Sequence, residues 1–444
     1  MARLRLIVRT VYGARNAYAP LLGSLESEGL LDGRVEVSFV DGDPSGEALR
    51  AEREGEIPVV LYGLSTLSYL ELRGEIGRVA SRFHVVAGGP HVEGAYWQVL
   101  RDGVEYAVVG DGEAALPWIV KYYLGEADSS DIPNVATFDG SRFKVSRIVH
   151  VDLDEYPAYT RRYPLYPPIE IMRGCHYTCK FCQVPWLFKR RVRYRSVERV
   201  LEAVEHYVRA GGKRRIRFTA PIGFAYMSWE PGRINYEAIE ELLKGVRRLR
   251  ATPFLGSFPS ETRPEYVDDK VLGIVKRYAG NRRISLGLQT GSERLLEATR
   301  RGHTVEDALE AVRTVLRAGL LPVVDIIFGL PGETVEDVEE TVRVMRTLSA
   351  WRARMRLHTF MPLPGTPMAL ERPVGIHPLY REVARRLAGM GLVEGYWEDQ
   401  EDYAWRIYCL MASDPKPTRE PQPLSEAVEL CRERGYWKAG AWRA

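Results

Sequence analysis

Short apolar runs alternate with helix-like stretches along the first 125 residues of the chain. Five such runs are LRLIV, VEVSFV, VVLYGL, FHVVAGG and YAVVGDG, and stretches such as YAPLLGSLESEGL and EAALPWIVKYYL lie between them. This alternation indicates a parallel sheet with helices on both faces, because each crossover between parallel strands places a helix against the sheet. Residues 1–150 are therefore predicted to form a doubly wound, Rossmann-like domain. The loops at the carboxyl ends of its strands would form a ligand crevice.

Two different patterns follow this domain core. The segment NVATFDGSRFKVSR carries an Asp139-Gly140 pair between two β-prone runs, which predicts a hairpin turn. The next segment, DLDEYPAYTRRYPLYPP, is rich in proline and tyrosine and has no helical period. We therefore expect residues 151–167 to be a linker between domains.

A second alternation of strands and helices begins at residue 168. Six candidate strands are present in PIEIM, RIRFT, PFLGSF, RISLGLQT, PVVDIIFG and MRLHTFMP. Six βα units favour a partial (β/α)6 barrel over residues 168–368 rather than a full eightfold barrel. Thr304 with Asp307, and Thr334 with Asp337, have the spacing of helix N-terminal capping boxes. Residues 369–444 are predicted to form a small, mainly helical C-terminal region.

Composition narrows the class of protein. The 444 residues carry a formal net charge of only +3, so the charge does not call for a nucleic-acid partner. No apolar run approaches the roughly 18 residues of a membrane-spanning helix, and MARLRLIVRTVYG lacks a signal-peptide pattern. These features predict a cytoplasmic protein without a membrane partner. Five cysteines in such a chain favour a metal or catalytic role over a disulfide framework.

Three of the five cysteines fall within the short segment MRGCHYTCKFCQ. Cys175, Cys179 and Cys182 have the spacing C-x3-C-x2-C directly after the first predicted barrel strand, where the active sites of barrel enzymes lie. Three thiolates can hold an iron–sulfur cluster and leave one iron open for substrate. The alternative is a structural zinc site completed by His176 or by a distant ligand.

The segment CHYTCKFC resembles the signature of radical S-adenosylmethionine (SAM) enzymes, including the aromatic Phe181 before the last cysteine. The resemblance implies a [4Fe-4S] cluster held by the three cysteines, which are the catalytic and metal-binding residues of this interpretation. It also implies that SAM binds the open iron and is split to methionine and a 5′-deoxyadenosyl radical.

The same resemblance places further residues near SAM, at the ends of later strands. They are Ser257 and Glu261 in GSFPSE, Gln289 and Ser292 in GLQTGSE, and Asp325 and Gly329 in DIIFGLPGET. The second strand of the family usually ends in a Gly-Gly-Glu-like stretch, whereas this chain has RFTAPIGFAY. The backbone carbonyls of Thr219 and Ala220 are the predicted substitutes.

The order of a doubly wound domain and a radical SAM barrel resembles the cobalamin-binding class of radical SAM enzymes. The matching segments are GLSTLSYLE, AGGPHVEG and VVGDGEAAL. The resemblance implies that cobalamin lies against Ser65, Thr66, Gly88, Gly89, Gly110 and Gly112. No Asp-x-His-x-x-Gly string is present, so the resemblance predicts a corrin without a lower histidine ligand. No G-x-G-x-x-G opens the first helix, which disfavours a dinucleotide site.

These features together predict an enzyme, a cobalamin-dependent radical SAM methyltransferase acting on an unactivated carbon. Its predicted partners are a small-molecule or peptide substrate and an electron donor such as ferredoxin or flavodoxin. Three alternatives stay open: a radical SAM enzyme whose N-terminal domain is structural, an RNA-modifying radical SAM enzyme, and a zinc-binding scaffold. Methylthiotransferases that modify tRNA carry a second cysteine trio in their N-terminal domain, and residues 1–174 contain no cysteine.

Two features are not explained by this function. The basic run KRRVRYR, residues 189–195, follows the cysteine loop and could meet an acidic substrate or form a solvated face. Cys409 and Cys431 are too far apart in sequence to define a site, and we expect buried structural thiols.

Overall fold

The computed structural model describes residues 2–11, 15–417 and 425–436. The chain divides into two compact units. Unit 1 consists of Met1–Pro167, Leu363–Gly365 and Cys409–Ala444, and unit 2 consists of Pro168–Pro362 and Thr366–Tyr408.

Unit 1 is built on a seven-stranded sheet with helices on both faces. Its strands are β1 (Leu4–Arg9), β2 (Val35–Val40), β3 (Ile57–Gly63), β4 (His84–Gly88), β5 (Tyr106–Val108), β6 (Val135–Phe138) and β7 (Phe143–Val145). Its helices are α1 (Arg15–Ser27), α2 (Ser45–Arg53), α3 (Thr66–Ala80), α4 (Pro90–Arg101), α5 (Gly112–Tyr123) and α15 (Ser425–Glu433). Within β1, Leu6 and Ile7 point to opposite faces and join two separate hydrophobic clusters, as the alternation of side chains along a strand requires.

The order of strands in this sheet is β2-β1-β3-β4-β5-β6-β7. Strands β1 to β5 pair in parallel, which confirms the predicted doubly wound sheet. The chain order reverses between β1 and β3, the point at which open sheets of this kind bind ligands. Strands β6 and β7 pair antiparallel with Phe138 opposite Phe143, so the hairpin predicted at Asp139-Gly140 is confirmed.

The predicted linker, residues 151–167, contains no helix or strand but is part of unit 1. It is fixed by Glu26 on α1, whose carboxylate accepts hydrogen bonds from the Thr160 hydroxyl and from the backbone N–H groups of Arg161 and Arg162, the last two at 2.9 Å. The Glu26 carboxylate therefore holds this proline-rich segment against α1 as an ordered part of unit 1.

Unit 2 contains the predicted partial barrel. Its strands are β8 (Ile169–Glu170), β9 (Met172–Arg173), β10 (Arg193–Tyr194), β11 (Arg215–Thr219), β12 (Thr252–Phe254), β13 (Arg283–Gln289), β14 (Leu321–Phe328), β15 (Arg354–Thr359) and β16 (Val393–Glu394). Its helices are α6 (Val184–Leu187), α7 (Val197–Gly211), α8 (Tyr236–Arg248), α9 (Asp269–Tyr278), α10 (Glu293–Ala298), α11 (Val305–Arg317), α12 (Val335–Ala350) and α13 (Pro378–Gly389). Helix α14 (Trp397–Ser413) crosses the division between the units.

The barrel strands form two parallel sheets, β8-β11-β12 and β13-β14-β15-β16, and β10 pairs antiparallel with β9. Backbone hydrogen bonds join the two sheets after β12: the Ser285 N–H donates to Gly256 O at 2.8 Å, and the Thr262 N–H donates to Ser285 O at 3.0 Å. All six predicted strands are present, and the partial barrel is confirmed.

The two predicted capping boxes are also confirmed. Thr304 and Thr334 accept hydrogen bonds from the backbone N–H groups of Asp307 and Asp337, and each aspartate accepts one in return from the backbone of its threonine. The boxes satisfy N–H groups that the first helical turn leaves without partners.

The predicted C-terminal region, residues 369–444, is not a separate unit. Strand β16 extends the barrel sheet beside β15, and Tyr380 on α13 stacks on Phe328 with ring centroids 4.1 Å apart. The end of α14 belongs to unit 1, where Leu410 joins the core and the Trp97 indole donates to Asp414 O at 2.9 Å. The helical pattern predicts that these segments are helices. It does not indicate which hydrophobic core each helix packs against.

Cys409 and Cys431 form a disulfide, so the expectation of two free thiols was wrong. Helices α14 and α15 bring the two Cα atoms to 5.7 Å, within the usual range for a disulfide. Because the two cysteines are 22 residues apart, the sequence did not indicate that they lie close together.

Replacing Cys431 with serine is expected to lower the free energy of unfolding by about 3 kcal/mol, since the unfolded chain regains the freedom of the closed loop. Urea unfolding with and without a reductant measures the effect. Reduction should lower the stability of the wild-type protein to that of the variant and leave the variant unchanged.

Among the residues described, no helix is both long enough and apolar enough to span a bilayer.

Candidate active site at the cysteine loop

The cysteine loop lies between the end of β9 at Arg173 and the start of α6 at Val184. Gly174 introduces the loop with φ +87°, a conformation that favours glycine. A Cβ atom at this position would lie only 2.0 Å from the carbonyl oxygen of Arg191. The turn into Cys175 therefore requires glycine for both conformation and space.

The three thiols of the loop are neighbours. Cys175 and Cys179 are buried, Cys182 is half-buried, and all three are free. Burial raises the pKa of Cys182 to about 12, and the charge of Cys179 contributes to that rise. Burial also raises the pKa of Cys175, again with a contribution from Cys179.

These thiols fit a cluster bound by thiolates. Within the described ranges, no three His, Cys, Asp or Glu side chains are already arranged around one metal position. Three free, interacting thiols on one loop are nevertheless the ligand type that iron–sulfur clusters require. The imidazole Nε2 of His176, the fourth ligand of the zinc alternative, instead lies 3.2 Å from the carbonyl oxygen of Ser228.

Two arginines contact the middle cysteine. The Nη1 atoms of Arg263 and Arg301 lie 3.5 Å and 3.4 Å from Cys179 Sγ. Burial alone would raise the pKa of Cys179, but the charges and hydrogen bonds of both arginines outweigh burial and lower it. The pair therefore favours the thiolate, which is the form that binds metal.

Other side chains fix these arginines in place. The Arg263 guanidinium lies 3.5 Å above the ring centroid of Tyr177 and donates to Glu265 Oε1 at 2.6 Å. Burial would raise the pKa of Glu265, but the contact of its Oε2 with His303 Nδ1 at 3.5 Å and the charge of Arg263 lower it to about 2. Arg301 donates to Gly287 O at 2.6 Å. The cationic groups beside Cys179 are therefore held by packing and ion pairing.

Two predicted SAM-contacting carboxylates come together in the barrel. Arg356 on β15 donates to Asp325 Oδ1 on β14 at 2.7 Å and also pairs with Glu261. Burial raises the pKa of Glu261, and the nearby charge of Asp325 raises it further. Arg356, which no sequence pattern indicated, bonds both carboxylates and links them into one polar group. Their contact with SAM stays a prediction.

The residues predicted after β13 have specific local roles. Gln289 has φ +88° at a register shift between β13 and β14. The Ser292 side chain is buried, caps α10 and donates to Asp337 Oδ1 at 2.5 Å. Ser292 therefore fixes the loop after β13, and ligand contacts of both residues stay predictions.

The predicted residues after β11 and β12 are linked through the backbone. Thr219 O accepts from the Ile171 N–H at 3.0 Å, and the Ala220 N–H donates to Pro259 O at 3.2 Å. The Ser257 hydroxyl accepts from Asn281 Nδ2 at 3.3 Å. These bonds align neighbouring strand ends, where the resemblance places SAM.

The side chain of Phe181, a residue of the cysteine loop, packs against the end of the barrel. It contacts a buried apolar cluster consisting of Leu295, Leu330, Phe360 and Met368. The aromatic residue before the last cysteine thus anchors the loop to the barrel.

The turn at Gly329 is closed by Glu333, which no sequence pattern indicated. Gly329 has φ +69°, and its N–H donates to Glu333 Oε2 at 3.0 Å. The other carboxylate oxygen accepts from the Tyr380 hydroxyl at 2.9 Å. Burial raises the pKa of Glu333 to about 7, so this half-buried carboxyl keeps a proton that the unfolded chain releases near pH 4.5.

Stability is therefore expected to fall as the pH rises from 5 to 7.5, because the native state binds the extra proton. A pKa increase of 2.5 units corresponds to about 3 kcal/mol, and partial exposure reduces the expected loss to about 2 kcal/mol. Urea unfolding at both pH values should show a loss that is about 2 kcal/mol smaller in Glu333→Gln than in the wild type, because the raised pKa of Glu261 contributes equally in both proteins. Glu336→Gln on the exposed surface of α12 is the control and should leave the loss unchanged.

In unit 1, the predicted cobalamin-contacting residues line the strand ends. Ser65 caps α3, and the hydroxyl of buried Thr66 lies 3.4 Å from His91 Nδ1. Gly89 has φ +106°, and a Cβ atom there would lie 2.7 Å from the carbonyl oxygen of Leu64. This glycine therefore allows the ends of β3 and β4 to approach closely.

Two of the other predicted glycines also lie in tight places. Cβ atoms at Gly110 and Gly112 would lie 3.0 Å and 2.7 Å from side-chain atoms of Asn134 and Leu21, whereas a Cβ atom at Gly88 would lie 3.5 Å from Val108, an ordinary contact. Packing within unit 1 explains Gly110 and Gly112 but not Gly88, and the contact of all three with a cofactor stays a prediction.

A family model of the radical SAM superfamily matches residues 169–345, the greater part of unit 2. Among curated relatives, a protein of Methanopyrus kandleri is 24% identical over 340 residues, 65% of this chain and 63% of that protein. The anaerobic magnesium-protoporphyrin IX monomethyl ester cyclase of Cereibacter sphaeroides is 28% identical over 308 residues, 64% of this chain and 48% of the enzyme. The tRNA-2-methylthio-N(6)-dimethylallyladenosine synthase of Fusobacterium nucleatum is 32% identical over 185 residues, 41% of each chain. The chain thus spans less than two thirds of the length of these relatives.

Solved structures extend the likeness to both units. The radical SAM methyltransferase TsrM of Kitasatospora setae, with cobalamin and a [4Fe-4S] cluster bound, covers 88% of this chain with a TM-score of 0.67 at 21% identity, over 79% of its own length. The cobalamin-dependent radical SAM enzyme OxsB covers 98% of this chain with a TM-score of 0.62 at 15% identity, over 62% of its own length. At these identities the likeness establishes the fold. Residues 169–345 therefore form a radical SAM domain, and the chain shares the fold of these two solved structures across both the barrel and the Rossmann-like unit.

Proposed function

We propose that the protein is a cobalamin-dependent radical SAM methyltransferase that modifies an unactivated carbon of a small molecule or peptide. The observation that carries this proposal is the fold likeness to a methyltransferase that holds both cofactors, because it covers 88% of the chain and includes both units. A likeness confined to the barrel would support radical SAM chemistry alone.

The residues of the cysteine loop fit the first part of this function. Cys175, Cys179 and Cys182 would hold the [4Fe-4S] cluster, and Gly174 gives the loop its turn. The cluster, when bound, supplies the electron that cleaves the sulfonium of SAM. Arg263 and Arg301 hold positive charge at Cys179. Phe181 anchors the loop.

The start of α3, at the strand ends of unit 1, is open to a ligand such as a corrin. The ends of β3 and β4 approach closely at Gly89, and Ser65 is exposed at the start of α3. His91 is fully buried, stacks on Tyr69 with ring centroids 4.0 Å apart, and has its pKa lowered to about 3 by burial. A histidine held inside the unit does not supply a lower ligand, which supports binding of the corrin without one.

A second candidate is an RNA-modifying radical SAM enzyme, favoured by the match to the tRNA-modifying synthase of Fusobacterium nucleatum. That match covers only 41% of this chain. Residues 1–174 also lack the cysteine trio expected for a methylthiotransferase. These two observations favour the methyltransferase.

Anaerobic reconstitution with hydroxocobalamin tests the cobalamin part of the proposal. Wild-type protein should retain about one corrin per chain after desalting. Ser65→Trp places a large side chain at the crevice and should release the corrin, whereas Ser81→Trp at the other end of α3 should retain it. If wild-type protein retains no corrin but still cleaves SAM, the N-terminal unit is structural and the methyltransferase proposal fails.

A further inference from the structure

An exposed basic segment follows the cysteine loop. Lys189, Arg190 and Arg191 come directly after α6, and all three residues are exposed. Within the part of the chain that the structure describes, none of the three side chains forms an ion pair. The segment therefore presents three uncompensated positive charges to solvent, and the chemistry proposed above gives it no role.

The backbone of this segment is held in an unusual conformation. Lys189 and Arg190 have φ values of +49° and +59°. Such conformations cost non-glycine residues on the order of 1–3 kcal/mol each and persist where the surroundings impose them. Here the N–H groups of Lys189, Arg190 and Arg191 donate to carbonyl oxygens of the α6 region at 3.2 Å, 2.7 Å and 2.8 Å. The charges are thus carried by a fixed turn.

This turn is packed directly against the cysteine loop. The carbonyl oxygen of Arg191 occupies the space beside Gly174, the residue before Cys175. The indole N–H of Trp186, on α6, donates to Cys179 O at 3.0 Å. The basic segment is therefore joined to two residues of the loop that would hold the cluster.

We propose that Lys189, Arg190 and Arg191 form the docking surface for a small acidic electron-transfer protein. The proposal rests on the function proposed above, since only a protein with a cluster needs this partner. One electron passes from the reduced donor to the cluster, so the donor is oxidised as the cluster is reduced, and no covalent bond changes. Positive charge beside the loop attracts an acidic partner and orients it at short range from the cluster.

The chain provides a matched control for this surface. The segment KRRVR at 189–193 is mirrored by KRRIR at 213–217, where Lys213, Arg214 and Arg215 are equally exposed. That second segment enters β11, at the opposite end of a barrel strand from the loops that follow the strands. Two variants with the same charge loss therefore differ in location: K189Q/R190Q/R191Q and K213Q/R214Q/R215Q.

The test measures reduction of the reconstituted cluster by stopped-flow absorbance. Reduced ferredoxin of net negative charge is the protein donor, and dithionite is the small donor that needs no docking surface. With ferredoxin, K189Q/R190Q/R191Q should slow reduction at least about tenfold and weaken its dependence on salt. K213Q/R214Q/R215Q should behave like the wild type, and dithionite should reduce all three proteins equally.

Equal rates with ferredoxin in all three proteins would overturn the docking surface. An equal loss in both variants would also overturn it, since the effect would then reflect overall charge. Binding of tRNA that K189Q/R190Q/R191Q abolishes, with unchanged ferredoxin rates, would assign the segment to RNA instead. Failure of the wild type to assemble any cluster is a different result, which contradicts the proposed function itself.

Discussion

Replacing Cys179 with alanine is expected to abolish the iron–sulfur cluster and all cleavage of SAM. Cys179 is the buried, central thiol of the trio, and two arginines favour its thiolate form. A cluster that has only three protein ligands is not expected to survive the loss of one. After anaerobic reconstitution, the variant should show no iron–sulfur charge-transfer absorbance in the visible range. It should also bind no iron above background and form no 5′-deoxyadenosine.

The remaining two cysteines provide the control for this experiment. The double variant C409A/C431A removes the disulfide and keeps the cysteine loop. It should retain full iron content and SAM cleavage at a temperature where it is folded. If C179A kept a full cluster, or if C409A/C431A lost it, the assignment of the loop as the cluster site would be wrong.

Replacing Arg301 with glutamine is expected to make the reduction potential of the cluster more negative by on the order of 100 mV. Positive charge beside a ligand sulfur stabilises the reduced cluster, which carries one more negative charge. Unit charges about 4 Å apart interact by about 4 kcal/mol at an effective dielectric constant of 20. A one-electron potential changes by about 59 mV for each tenfold change in equilibrium constant. A shift on the order of 100 mV therefore requires only part of this interaction energy.

Redox titration monitored by electron paramagnetic resonance (EPR) measures this shift. Arg301→Lys keeps the charge but not the geometry, and its potential should lie between those of the wild type and Arg301→Gln. Arg263→Gln should shift the potential in the same direction, because Arg263 contacts the same sulfur. Unchanged potentials in both glutamine variants, with clusters intact, would show that the arginines are only structural.

Local patterns were sufficient to predict most strands and helices of both units. Short apolar runs between helix-like stretches identified the strands of the parallel sheets, because helices cover both faces of such a sheet. The Thr304 and Thr334 boxes depend on residues three positions apart, so the sequence contains the whole interaction. The three cysteines of the candidate site are similarly close in sequence, and one loop brings them together.

Interactions between distant residues could not be predicted in this way. Arg263 and Arg301 are 84 and 122 residues from Cys179, and neither has a neighbouring motif that indicates its partner. Glu26 fixes residues 160–162 across more than 130 positions. The helical pattern of α14 likewise did not show that its end joins unit 1.

The cysteine loop is proposed to hold a cluster with one iron open to SAM. The most direct measurement is the EPR spectrum of the anaerobically reconstituted, dithionite-reduced protein with and without SAM. A [4Fe-4S]⁺ signal that changes shape when SAM is added is the predicted result. Zinc in place of iron on elemental analysis, or a cluster signal that SAM leaves unchanged, would contradict the claim.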